Sequence, residues 1–166
     1  MQIIIAPDSR LNQISRKVKI IDDSIISILD QMLKCMYQNN GIGLAAPQVG
    51  ILKRLVVIDC SYNKDIKKPL KLINPEVTEL SKNISEFEEG CLSLPSQYAK
   101  VIRPSEITLK YTNIEGLICE REFSGLEAIC IQHEIDHLNG KLFVDHISRL
   151  KKNIIIKKLK KLKKKI

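Results

Sequence analysis

The sequence predicts an α+β domain. Two stretches of helical periodicity, at 22–39 and from about 124 to 137, enclose apolar stretches of strand character, and no regular βα alternation links them. The first helix is read from Ile25, Ile28, Leu29, Met32 and Met36, which recur at i, i+3, i+4, i+7 and i+11. Asp22 or Asp23 can cap it, and Asn39-Asn40-Gly41 can stop it. Strands are expected at Leu55–Cys60, Leu70–Ile73 and Ile107–Thr112. In the last of these Ile107, Leu109 and Tyr111 alternate with Thr108 and Lys110. Asn113–Gly116 then supplies a turn into Leu117–Phe123, so these two runs form a hairpin. The second helix starts at Ser124 or Gly125, reaches His137 and stops near Gly140, and the basic C-terminal stretch makes a third.

A chain of 166 residues fits one domain. With aromatics at 4% and no Trp, its core must be built from Ile, Leu and Val. No apolar run approaches the roughly 18 residues that span a bilayer. The N-terminal residues lack the features of a signal or transit peptide. Five cysteines, at 35, 60, 91, 119 and 130, leave one over and form no dense framework, which suits a reducing cytoplasm.

The net charge of +8 is unevenly placed. Nine lysines and no acid lie within 151–166, so the rest of the chain carries −1. The expected organisation is therefore a nearly neutral body at 1–150 and a lysine-rich helical extension of the same domain at 151–166. In that extension Ile155, Leu159, Leu162 and Ile166 recur at i, i+4, i+7 and i+11 as a narrow apolar stripe among lysines. Such a helix can dock its stripe on the body, lie on a membrane, or reach RNA.

The chemistry concentrates at His133-Glu134-Ile135-Asp136-His137. Two histidines four apart project from one helix face and can reach one ion, while the intervening Glu134 can accept a proton from water at that ion. A bare match of this kind also occurs on ordinary surface helices, so a third ligand decides the reading. A further histidine six residues on is replaced by Phe143, and no acid follows Asp145. His146 lies beyond the helix break expected at Gly140. Cys130 falls at i−3 from His133 but roughly 10 Å along the axis from His137, too far for one ion to bind both, and is better read as a wall residue. Cys91 remains, in Glu88-Glu89-Gly90-Cys91-Leu92-Ser93-Leu94-Pro95, where a buried loop thiol is the plain alternative. With both histidines it gives three ligands and an open fourth position, the arrangement of a catalytic ion.

Gly41-Ile42-Gly43-Leu44-Ala45-Ala46 matches a dinucleotide fingerprint, with Asp59 placed like a ribose-binding acid. That motif should follow a strand and open a helix, whereas here a helical pattern precedes it and Pro47 interrupts the continuation. The preferred reading is a tight loop whose backbone faces a substrate, with Gln48 offering an amide donor; a mere turn is the alternative.

Taken together, Gly41–Gln48 (GIGLAAPQ), Glu89–Ser93 (EGCLS) and Gln132–His137 (QHEIDH) resemble the three signature motifs of the peptide deformylases, in order and over nearly the whole chain. The resemblance implies antiparallel sheets packed around the helix that carries the histidines. It implies hydrolysis of the N-formyl group from formyl-methionine at the start of nascent polypeptides, with release of formate. It assigns the metal to Cys91, His133 and His137 and the general base, then acid, to Glu134. Gln48 and the backbone N–H of Leu92 would polarise the formyl oxygen. Ile42, Ile129, Cys130 and the side of His133 would form the methionine pocket, with Gly43 and Gly90 holding the peptide backbone. Asn40 and Tyr98 depart from residues common in the family, an acid and an arginine, which bears on downstream peptide preference rather than chemistry.

A Cys/His/His ligand set suits Zn²⁺ and Fe²⁺ alike, and the affinity order favours Zn²⁺ in an isolated protein. The resemblance implies Fe²⁺ as the native ion and Zn²⁺ as a frequent occupant. It also makes the ribosome, where the substrate emerges, the partner of the lysine-rich tail, with no membrane or DNA partner. Two other readings remain at this point: a metallopeptidase built on the same helix motif, and an RNA- or ribosome-binding module with a structural metal.

Overall fold

The computed structural model describes residues 1–61 and 65–163. Lys164, Lys165 and Ile166, the end of the expected tail stripe, lie outside the described residues. The elements are α1 (Asp23–Gln38), β1 (Gly43–Ala45), β2 (Leu55–Ile58), β3 (Leu70–Leu80), β4 (Ile84–Cys91), β5 (Leu94–Pro104), β6 (Glu106–Thr112), β7 (Ile118–Ser124), α2 (Gly125–Leu138) and α3 (Arg149–Lys163). An antiparallel sheet in the order β1-β2-β3-β6-β7 and a separate β4-β5 hairpin flank α2, giving the α+β architecture expected from the sequence.

Helix α1 starts where the pattern places it. The Asp22 side chain accepts from Ile25 N at 3.1 Å, satisfying an N–H that has no partner inside the helix. Ile25, Leu29, Met32 and Met36 are buried against Leu44, Leu55 and Val57 of β1 and β2. The hairpin β6-β7 pairs Tyr111 with Cys119 and buries Ile107, Leu109 and Tyr111, the alternation read from the sequence.

Three segments differ from expectation. Strand β3 continues through Asn74-Pro75 to Leu80 instead of ending at Ile73, because the ladder to β6 slips between Ile73 and Glu76. At that slip Asn74 has φ +52, and its side chain bonds both Val18 N and Val18 O at 2.8 Å. The bulge thus absorbs a proline that would otherwise break a ladder. The segment expected as a glycine-rich loop contains an edge strand: Gly43, Leu44 and Ala45 pair with Ile58, Val57 and Val56. The hairpin β4-β5 has no counterpart in the sequence reading, since Glu86, Phe87, Glu88, Tyr98, Lys100 and Ile102 are all exposed and blur any inside–outside alternation.

Helix α3 docks its stripe on the body. Ile155 and Leu159 are buried with Val101 of β5 and Phe143, while Leu162 stays exposed. No described helix is long and apolar enough to cross a membrane.

Candidate metal centre and cleft

Helix α2 is buried nearly all round, so it can carry polar side chains only where they are partnered or functional. Its register sets His133 and His137 on one face, with ring centroids 5.0 Å apart. The third component arrives from the tip of the β4-β5 hairpin. Between Gly90 and Cys91 the hairpin register slips, so that Gly90 faces Tyr98 while Cys91 faces Leu94. Ser96, at φ +57, takes up part of the extra chain on β5. This bulge swings Cys91 towards α2, where its Sγ lies 3.2 Å from His137 Nε2. One ligand atom from each of Cys91, His133 and His137 lies within 4.8 Å of the others.

These residues fit a metal ion. His133 Nδ1 is 2.9 Å from Glu89 Oε2, which leaves Nε2 for an ion, the carboxylate–histidine arrangement that orients a metal-binding imidazole. Among the described residues Glu134 Oε2 is buried without a hydrogen-bond partner, as expected of a carboxylate that meets its partners only when the site is filled. His146 is not part of the cluster; its Nε2 contacts Asp136 Oδ2 at 2.7 Å.

Behind the histidines lies a charged network that sequence reasoning missed. Arg103 of β5 grips Glu89 with Nε to Oε1 at 2.6 Å and Nη2 to Oε2 at 3.0 Å, and reaches Asp136 with Nη1 at 2.8 Å. Arg103 and Glu89 are both buried. Burial opposes the charge on Glu89, yet hydrogen bonds from His133 and Arg103 outweigh it and hold the carboxyl down at about 2. Glu89 opens the EGCLS motif, but its pairing with a residue fourteen positions on could be found only by recognising the hairpin.

Glu134 is set differently. Burial raises its carboxyl to about 7, so it can gain and lose a proton near neutrality. It faces Gly43 on β1, where an added Cβ would stand 2.5 Å from Glu134 Oε1 and 2.7 Å from Cys130 Sγ. Gln48, in the short 3-10 turn Ala46–Val49, is anchored by Ala45 N donating to its Oε1 at 2.8 Å. Its Nε2 therefore points towards Cys91 Sγ at 3.5 Å and Ser93 Oγ at 3.4 Å. The N-terminal segment ties these pieces together, with Ile4 N donating to Gln48 O and Ala6 N to Ser93 O, both at 2.8 Å.

A cleft of about 680 Å³ opens beside this cluster. Ile42, Gly43, Gln48, Gly90, Cys91, Leu92, Ile129, Cys130, His133 and Glu134 all line it, while His137 is buried behind. Cys130 is a wall residue, with its Sγ 3.6 Å from Ile42 O. At Gly90 a Cβ would fall 2.7 Å from the ring of Tyr98. A centre with three ligands, a titratable buried carboxylate and an amide donor at the end of an apolar cleft can activate water and deliver it to a bound carbonyl.

A family model described as polypeptide deformylase matches residues 1–153. A peptide deformylase of Rhizobium meliloti is 50% identical over 151 residues, covering 91% of this chain and 87% of that protein. One from Agrobacterium fabrum is 48% identical over 151 residues, covering 91% and 89%. Among solved structures, the peptide deformylase of Ehrlichia chaffeensis superposes with a TM-score of 0.94 at 36% identity, covering 99% of this chain and 97% of that one. That of Legionella pneumophila gives 0.90 at 42% identity, covering 98% and 95%.

Proposed function

From the premise that the chain belongs to the polypeptide deformylase family, we propose how its cleft removes the N-formyl group from formyl-methionyl peptides and releases formate. The observation that carries the reading is the convergence of Cys91, His133 and His137 on one point, with buried Glu134 beside it, its Oε2 without a hydrogen-bond partner among the described residues.

A formamide resists hydrolysis because its nitrogen donates into the carbonyl. A divalent ion held by Cys91, His133 and His137 would supply Lewis acidity, making water a nucleophile near neutral pH. Glu134, a carboxyl that burial raises, takes the proton from the attacking water. As charge develops on the formyl oxygen, Gln48 Nε2–H and the Leu92 N–H donate to it; losing one such donor typically costs about 3 kcal/mol. Glu134 then returns its proton to the leaving amine. Ile42, Ile129 and Cys130 receive the methionine side chain, with Gly43 and Gly90 along the peptide backbone. Glu89 and Arg103 act through His133, whose ring they fix.

The resident ion is read as Fe²⁺, with Zn²⁺ binding in the isolated protein, since a thiolate and two imidazoles suit both. The enzyme works in the cytoplasm, on chains leaving the ribosome. Docking of Ile155 and Leu159 on the body leaves Lys151, Lys157, Lys158, Lys160 and Lys161 exposed, which supports a phosphate-rich partner such as ribosomal RNA.

Formate release from formyl-Met-Ala, measured together with metal content, tests the activity. A deformylase releases formate in proportion to bound metal and leaves unformylated peptides intact. Cleavage of internal amides without formate would instead favour the metallopeptidase.

A further inference from the structure

Five thiols are free, and four of them have distinct surroundings. Cys91 faces His137 and Gln48, Cys35 lies against Met1 O, and Cys119 against Leu117 O. Cys130 is buried in the cleft wall, with its Sγ held to Ile42 O at 3.6 Å. The same carbonyl accepts Asp59 N at 2.8 Å, which brings the chain just after β2 beside Cys130. Cys60 is the next residue, half-buried and packed on the same core cluster as Cys130. The neighbouring Cys60 thiol together with burial holds the Cys130 thiol well above its ordinary value.

We propose that Cys60 and Cys130 form an oxidation site: a peroxide converts the pair into a disulfide that withdraws Cys130 from the cleft wall and weakens methionine binding. Cys60, the more exposed thiol, reacts first, its sulfur attacking a peroxide oxygen. Its sulfur displaces water from the peroxide O–O bond, giving a sulfenic acid. The Cys130 sulfur then attacks the Cys60 sulfur, the S–O bond breaks, and the leaving hydroxide takes up the Cys130 proton as a second water. The peroxide is reduced by two electrons and the two thiols are oxidised. The new bond, about 2.05 Å long, requires Cys130 Sγ to turn from Ile42 O towards Cys60. Gly43, whose Cβ position lies 2.7 Å from that sulfur, then has an altered wall beside it. The effect on substrate rests on the proposed methionine pocket; formation of the bond does not.

The test treats the full Zn²⁺-loaded chain with hydrogen peroxide, then maps its peptides by mass and measures formyl-Met-Ala kinetics before and after dithiothreitol. The expected result is a linked pair of peptides carrying Cys60 and Cys130. KM should rise about tenfold, the scale of one misplaced methylene-sized group in an apolar pocket, with kcat little changed and full recovery on reduction. Cys60→Ser, or Cys60→Val if serine destabilises the core, should keep reduced-state kinetics and abolish the reversible rise. Cys60 and Cys130 still alkylatable while Cys91 is oxidised, or a Cys60–Cys130 disulfide with unchanged KM, would overturn the inference. Preference of the reduced chain for formyl-Met over formyl-Ala peptides reports separately on the pocket itself.

Discussion

Gly43 and Glu134 are in such close approach that β1 has no room for a side chain: a Cβ on Gly43 would stand 2.5 Å from Glu134 Oε1. The glycine permits the edge strand to run directly over the carboxylate. We expect Gly43→Ala to displace Glu134 while leaving the three ligands in place. Turnover should fall about 100-fold, the cost of misplacing a catalytic group by about an ångström, with one metal per chain retained. Steady-state formate release alongside metal analysis checks this, and unchanged turnover would show that the approach is slack.

Ligand identity is tested by metal content. Cys91→Ala, His133→Ala and His137→Ala should each lose most bound metal, whereas Cys130→Ala should keep it. Cys130 lies in the cleft wall and outside the three-residue cluster. Metal retained by Cys91→Ala but absent from Cys130→Ala would reverse the assignment.

Arg103 and Glu89 predict an acid limit. The folded carboxyl of Glu89 lies at about 2, below its ordinary value of 4.5. Its stabilising contribution is therefore complete above pH 4.5 and fades as pH falls towards 2. Glu89→Gln should flatten that part of the stability–pH curve, measured by denaturant unfolding. Arg103→Leu leaves a buried carboxylate facing His133 with less compensation and should cost about 3–5 kcal/mol at neutral pH. Wild-type stability in Arg103→Leu would mean that the network contributes nothing to the fold.

For the tail, removing residues 151–166 would also strip Ile155 and Leu159 from the core, so truncation confounds docking with partner binding. Burial of such side chains stabilises by roughly 1.5–3 kcal/mol each. Lys157→Gln, Lys160→Gln and Lys161→Gln together spare that packing. This triple variant should deformylate short peptides normally and bind ribosomes more weakly. Its salt dependence should be shallower, by about one unit of slope for each phosphate that a lysine no longer neutralises. Equal ribosome affinity for both proteins would make the tail a solvated helix.

Much of the centre was legible because it is local. His133, Glu134 and His137 declare themselves by helical spacing, and α1 and the β6-β7 hairpin by periodicity and turn residues. Cys91 emerged only after other ligands were set aside, and its role came from the resemblance, since a bulge rather than any local pattern brings it to α2. The β4-β5 hairpin escaped because its outward residues include Tyr98 and Ile102 and its inward ones include Glu89 and Arg103, an inversion of the usual alternation. For the same reason the Arg103–Glu89–His133 chain, which joins two strands and a helix, left no trace in sequence spacing. The strand at Gly43–Ala45 was hidden by glycine, which weakens strand propensity but here gives way to Glu134.

The proton-transfer role of Glu134 is tested most directly by Glu134→Gln, a change that preserves shape and removes the proton acceptor. Metal content and formate release from formyl-Met-Ala are measured on the same preparation. The expected result is one metal per chain, held by Cys91, His133 and His137, and turnover lower by about 100-fold or more, as when a general base is removed. Near-normal formate release from the metal-loaded variant would contradict it.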